Sequence, residues 1–425
     1  MKKTFIVILG TALLMVMGFV GSAMAIGNIK IGNIAVHPSI TEKGMWDSNI
    51  DLNADNGTAG EERKGDYINT LTPAVKFQLK KSLLDVSFGA NVDIVRYDEY
   101  DKNDAENYMA NFSGQYGSIG RTGLYFKFNE QFMDTQDPYS KSGVGYVGDT
   151  NYRLGLATKK KSNIAGIEVG YGMADRIAFH LSYTNNYLKY DSYTRDRDSN
   201  EKDHIAGATL YYKILPKTYA LLGYQLKSTD YFDYDTKGLS DCGKDSKNHN
   251  LDFGLFWDQT EKLNGSVKVG YYWKKWDNAV NNGGVPLEDL NTWTITTHLG
   301  WKPLTRTTIM IDLTKGEVDS VDATYYSYDQ FVAGLRLNQQ VVNKLSITVG
   351  GNYEIDDYNN SAAGTPEKKF NLYQANAGIN YQIMKWLRAG ISYTYKKKDA
   401  NQINAQTKDE EYKDHQTMFK ITGSF

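Results

Sequence analysis

Met418-Phe419-Lys420-Ile421-Thr422-Gly423-Ser424-Phe425 ends the sequence, and its parity decides the fold. Phe419, Ile421, Gly423 and Phe425 take every second position, with Lys420, Thr422 and Ser424 between them. Period two sends the two sets to opposite faces of a β-strand. The pattern recurs upstream. Leu387, Ala389, Ile391, Tyr393 and Tyr395 alternate with Arg388, Gly390, Ser392, Thr394 and Lys396. Leu345, Ile347, Val349, Gly351 and Tyr353 alternate with Ser346, Thr348, Gly350, Asn352 and Glu354. Val267, Val269, Tyr271 and Trp273 alternate with Ser266, Lys268, Gly270, Tyr272 and Lys274. Trp293 and Trp301 bracket one such run, as two interfacial aromatic girdles would.

Short turns and long polar segments punctuate these runs. Eight turns fall near 80–82, 116–121, 172–176, 215–217, 262–264, 302–304, 342–344 and 384–386. Each joins two runs of about 10 residues, the length that a tilted membrane strand needs. The long segments, rich in Asp, Asn, Lys and Gly, lie near 53–65, 98–104, 135–160, 191–203, 230–248, 277–290, 317–324, 357–369 and 398–411. With a first strand near 34–49 and a last one ending at Phe425, the reading is a transmembrane antiparallel up-and-down β-barrel of about 18 strands. Short turns face the periplasm and long loops face outward. Residues 150–158 are a further strand or part of the third outer loop.

Composition fits a barrel and excludes helical spans. Mean hydropathy is −0.53, and after the first residues no apolar run approaches 20 positions. In a barrel only alternate residues face lipid, so a low mean is no obstacle. The 32 tyrosines suit a membrane–water boundary, where the ring sits in lipid and the hydroxyl stays wet. Seven prolines and the lack of any low-complexity tract leave no linker.

The ends carry expectations of their own. Lys2 and Lys3, an apolar stretch over 5–20 and Ser22-Ala23-Met24-Ala25 predict a signal peptide over residues 1–25, leaving the barrel over 26–425. Without Lys2 and Lys3 the formal charge of −2 becomes −4, which points away from nucleic acid. Phe419, Ile421 and Phe425 are the expected C-terminal signal for barrel assembly machinery. Outer-membrane lipid and lipopolysaccharide are the expected surroundings. Cys242, the only cysteine, has no intrachain partner.

A closed cylinder of this size encloses water. The parity opposite the apolar set names its lining: Lys76, Lys127, Lys213, Lys268, Arg336 and Arg388, against Asp85, Asp93, Glu168, Asp252, Asp312 and Glu354. The signs nearly balance, which predicts a polar channel without strong ion preference. The same charges can instead pair across neighbouring strands. Tyr125, Tyr272 and Tyr395 near strand ends are candidates for stacking on sugar rings.

Other chemistry finds little support. His180 and Ser182 share a face about 7 Å apart, with no Asp or Asn beside them as an orienter. Cys242, His249, Asp241 and Asp245 fall in one loop without metal-ligand spacing. Asp196-Arg197-Asp198 and Glu354-Ile355-Asp356-Asp357 lack a calcium-loop pattern. The lysine runs 159–161 and 396–398 stand at outer strand ends, where lipid phosphates or plain solvation would suit them. No phosphate-binding loop occurs, and neither an enzyme nor a cofactor is expected.

The most specific segments are Ile34-Ala35-Val36-His37-Pro38-Ser39-Ile40, Trp46-Asp47-Ser48-Asn49-Ile50 and Asp66-Tyr67-Ile68-Asn69-Thr70-Leu71-Thr72-Pro73. They resemble the opening of the EpsL-like β-barrel porin family. Lys161-Ser162-Asn163-Ile164-Ala165-Gly166 and Tyr171-Gly172-Met173-Ala174-Asp175-Arg176 are a weaker echo. Ala74 departs from the family, where glycine often follows the proline. The resemblance implies an outer-membrane conduit for exopolysaccharide export, working with periplasmic polysaccharide-export proteins. A general or sugar-selective diffusion porin is the alternative, and a structural or adhesive barrel with a plugged lumen is another.

Overall fold

Alternating runs bury one face only by pairing on both edges, and in a membrane every backbone amide must find its partner within the protein. The computed structural model satisfies both demands. It describes residues 29–52, 63–117, 122–137, 158–173, 176–190, 200–232, 245–257, 262–277, 287–319, 325–361, 368–400 and 411–425. The predicted signal peptide, Cys242 and the Asp196-Arg197-Asp198 cluster lie outside them.

A short β1 (Ile29–Ile31) precedes β2 (Ile34–Asp47), β3 (Asp66–Lys81), β4 (Leu84–Tyr97), β5 (Ala105–Tyr116), β6 (Gly123–Asp137) and β7 (Thr158–Met173). Next come β8 (Ile177–Tyr190), β9 (Glu201–Leu215), β10 (Thr218–Tyr231), β11 (Ser246–Trp257), β12 (Leu263–Trp276) and β13 (Leu290–Leu304). The last six are β14 (Thr307–Asp319), β15 (Tyr325–Val342), β16 (Leu345–Ser361), β17 (Lys368–Met384), β18 (Leu387–Ala400) and β19 (Tyr412–Ser424). Each strand from β2 pairs antiparallel with the next, and β19 returns to β2, so 18 strands close into a barrel. The nineteenth, β1, pairs Ile34, Ala35 and Val36 on the edge of β2 not taken by β3. The barrel strands run from 12 to 18 residues, longer than the runs of about 10 predicted. Their outer ends therefore rise above the hydrocarbon.

The family-like segments build the closure. Asp47 accepts from the Asn49 backbone N–H at 2.9 Å and from Gln416 Nε2 at 2.9 Å. Ser48 Oγ donates to Asp414 at 3.3 Å and accepts from the His415 N–H at 2.7 Å. Asn49 Nδ2 donates to the Lys413 carbonyl at 3.0 Å. Asp66 accepts from the Glu99 and Tyr100 N–H groups, so it braces the connection after β4. At the other end Phe425 donates its N–H to the Pro38 carbonyl and stacks on Trp386 at 5.9 Å.

Two predicted turns move. The one expected at 302–304 is strand, with a register shift between Trp301 and Leu304. Pro303 has no N–H for the ladder, so the pairing bulges there and the turn follows at 305–306. The one expected at 262–264 ends earlier, because β12 already begins at Leu263.

Candidate functional site: the inner face and its outer mouth

The register carries one face of the sheet around the whole barrel. On one side stand exposed apolar residues, among them Phe253 (59% exposed), Leu335 (57%) and Ile391 (52%). The other side is polar, and an electrostatic interaction across the barrel marks it as the interior. Asp319 of β14 interacts electrostatically with Lys227 of β10, four strands away. Along the wall that separation is about 19 Å, so the two charges approach each other across the lumen.

The register puts the twelve charged residues named from sequence on one common face of the sheet, the polar one. Lys127 and Glu168 are register partners. Asp85 accepts from Gln78 at 3.1 Å and lies 3.9 Å from Lys80. Asp93 accepts from Thr72 at 2.6 Å, Asp252 from Asn250 at 2.9 Å and Glu354 from Gln330 at 2.9 Å. Asp312 meets His298, and Arg388 donates to Gln382 at 3.1 Å. Lys76, Lys213, Lys268 and Arg336 oppose His37, Tyr219, Thr296 and Met310 respectively.

The outer mouth is where the structure departs most from a simple wall. β14 leaves β13 after the pair Ile295–Lys315 but stays on β15 as far as Asp319–Ser327. Glu317 and Asp319 belong by parity to the outer side. Yet Lys274 of β12, 1% exposed, contacts Asp319 and lies 3.8 Å from Glu317. Lys274 Nζ also sits 3.8 Å from the ring centre of Trp276. The end of the β14–β15 pair therefore leans inward, and its former outer side rests on the inner face of β9 to β12. There Lys227 pairs with Asp203 at 3.0 Å, and Thr229 donates to Asp203 at 2.8 Å.

The opposite side of the same pair is apolar. Tyr328, with Val318, packs on Tyr358, Phe370 and Leu372. Tyr328 and Tyr358 stack at 4.6 Å. Phe370 is 0% exposed, with Lys398 Nζ 4.0 Å above its ring. Hydrophobic packing on one flank and ion pairs on the other hold the lean in place. The outer end of the lumen is narrowed by tyrosine, tryptophan, lysine and carboxylate side chains.

Nearer the periplasm, His180 is 3% exposed and its Nδ1 lies 2.7 Å from Glu168. The rings of Tyr125 and Tyr211 sit 5.0 Å from it on two sides. Gly170 makes the room, since a Cβ there would come within 2.7 Å of the imidazole. Glu168 is thus an orienter that sequence spacing did not reveal, because it sits one strand over. Ser182 is the register partner of Glu168.

Several expectations are corrected. Tyr395 faces outward, 5.0 Å from His415. His249 lies on β11, stacked on Trp273 at 5.2 Å with Tyr224 on its Nδ1, so it is no loop residue. Glu354 and Asp356 point inward while Asp357 points outward to Lys369 at 2.8 Å, so the acidic run does not converge. Lys396 and Lys398 face the lumen, and only Lys397 of that run faces out, bound to Asp399 at 2.6 Å. Among the described residues no group of three or more His, Cys, Asp and Glu is placed to hold a metal ion.

Residues 24–424 match the family described as "Putative beta-barrel porin 2". The chain belongs to that family. This porin-family barrel is also similar in fold to OccAB4 of Acinetobacter baumannii (11% identity, 92% of this chain, 98% of that one, TM-score 0.43). It is similar to OpdL of Pseudomonas aeruginosa (11% identity, 93% and 99% covered, TM-score 0.45). OccK2 (OpdF) of the same organism gives 10% identity, 92% and 98% coverage and a TM-score of 0.46. No curated protein matches the sequence. The barrel is an outer-membrane, porin-type one.

Proposed function

We propose that the protein is a passive aqueous conduit for hydrophilic, sugar-type solutes across the outer membrane. The observation that carries this reading is the continuous polar inner face ending in a mouth narrowed by Tyr272, Lys274, Trp276 and Asp319. Aromatic faces beside charged groups suit sugar rings and their hydroxyls. A narrowed mouth favours small solutes over a polymer while the β14–β15 end stays folded inward. Reconstitution tests it. Purified protein in planar bilayers should give stable conductance, and proteoliposomes should admit monosaccharides faster than larger oligosaccharides. Failure to conduct would favour the plugged, structural reading instead.

Exopolysaccharide export is the second reading, supported by the resemblance of 34–50 and 66–73 to the EpsL-like family. Those residues stitch the seam and brace an outer connection, so they speak to barrel closure more than to cargo. Deleting the gene and measuring surface polysaccharide separates the two. Loss of polymer supports export, and unchanged polymer with reduced sugar uptake supports diffusion.

A further inference from the structure

Three inner-face lysines have a carboxylate partner within ion-pair distance. Lys274 has Asp319 and Glu317, Lys227 has Asp203, and Lys396 has Asp414 at 3.9 Å. The closing seam does the opposite and sets two lysines face to face. Lys43 of β2 and Lys420 of β19 are direct register partners across the closing seam. Two like charges opposite each other destabilise a strand pair. Arg388 stands one strand further on, where its partner Thr422 is two positions from Lys420. Lys420 is repelled by both neighbours. Among the described residues no carboxylate lies within ion-pair distance of Lys43 or Lys420. Glu42, next in sequence, points to the other face. Beside the lysines, Thr41 and Thr422 share a hydrogen bond of 3.0 Å and add hydroxyls to the same patch.

We propose that Lys43, Lys420 and Arg388 form an anion station on one wall of the lumen, giving the conduit a preference for solutes that carry a carboxylate or another oxyanion. A mobile anion supplies the counter-charge that the fold withholds, and low-dielectric walls concentrate the field there. The inference rests on the conduit reading and narrows its substrate class.

The test is the reversal potential of the purified protein in a planar bilayer under a KCl gradient, repeated with potassium glucuronate. The native barrel should favour the anion. The double variant Lys43→Gln/Lys420→Gln should lower anion preference by roughly twofold per charge removed, and Lys43→Glu/Lys420→Glu should reverse it. Glu42→Gln, on the outer face, should leave it unchanged. Heat-dependent migration on gels checks that each variant folds, and the removed repulsion favours folding of the glutamine form. Normal conductance with unaltered selectivity in both double variants overturns the station and leaves the conduit standing. Absence of any conductance in the native protein overturns both.

Discussion

Lys274 and Asp319 touch although their strands, β12 and β14, are separated by β13. By parity Asp319 belongs to the outer side and Lys274 to the inner one, so in an unbroken cylinder wall the two could not meet. It requires one strand end to leave the wall, and it marks where the lumen narrows.

Breaking this contact should open the mouth. Asp319→Asn leaves Lys274 buried against Glu317 alone, a loss on the order of 3–5 kcal/mol for a buried pair. Single-channel conductance should rise or become noisy in Asp319→Asn. Replacing both residues by apolar ones of similar size (Lys274→Met with Asp319→Leu) should restore quiet, low conductance, because Tyr328 and Phe370 still anchor the other flank.

The mouth should also respond to pH. Glu201, the first residue of β9, stands 14 positions from Leu215 at the periplasmic end, above the hydrocarbon. Burial, then Asp203 beside it, pushes its carboxyl up to about 7. A raised carboxyl binds its proton in the closed form and releases it more readily once exposed. Closure is therefore most stable at low pH and is lost as pH rises from about 4.5 to about 7. Conductance should climb over that window with outer-side pH and then level off. Glu201→Gln should flatten the profile at its low-pH value.

The seam offers a stability test. Asn49 is 0% exposed and its Nδ2 holds the Lys413 carbonyl. Asn49→Ala removes that donor from the half-buried carbonyl, at a cost of about 1–3 kcal/mol. The temperature at which the folded gel band disappears should fall. Asn111→Ala, on the wall of β5 away from the seam, should lower it less.

How far the sequence could foresee these features depends on the physics behind each. Strand parity was fully legible, because lipid and water impose period two directly: Ile391 outside and Ser392 inside follow from alternation alone. Strand count followed from turns and polar segments. Turn position failed at Pro303, where a missing N–H makes a bulge and not a turn. The inward lean was invisible, since Glu317 and Asp319 look like ordinary polar residues at a strand end. Only the contact with Lys274, 45 positions away, gives them a role. His180 stands out in the sequence but its partner Glu168 does not, because pairing across strands depends on register. Tyr395 is not a lumen residue, as its own parity with Tyr393 already implies.

The two faces of β18 should differ in tolerance as well as in exposure. Ile391→Arg puts a charge on the lipid side and should cost roughly 2–4 kcal/mol near the bilayer midplane. Ser392→Arg, one residue on, should fold normally and lower cation flux.

The most direct measurement is cysteine scanning along β18 in a Cys242→Ser background, with a charged maleimide applied to barrels in intact membranes. Gly390, Ser392 and Thr394 should label as cysteines, while Ala389, Ile391 and Tyr393 should resist. Uniform labelling, or labelling of the second set in place of the first, would contradict a water-filled barrel with this inner face.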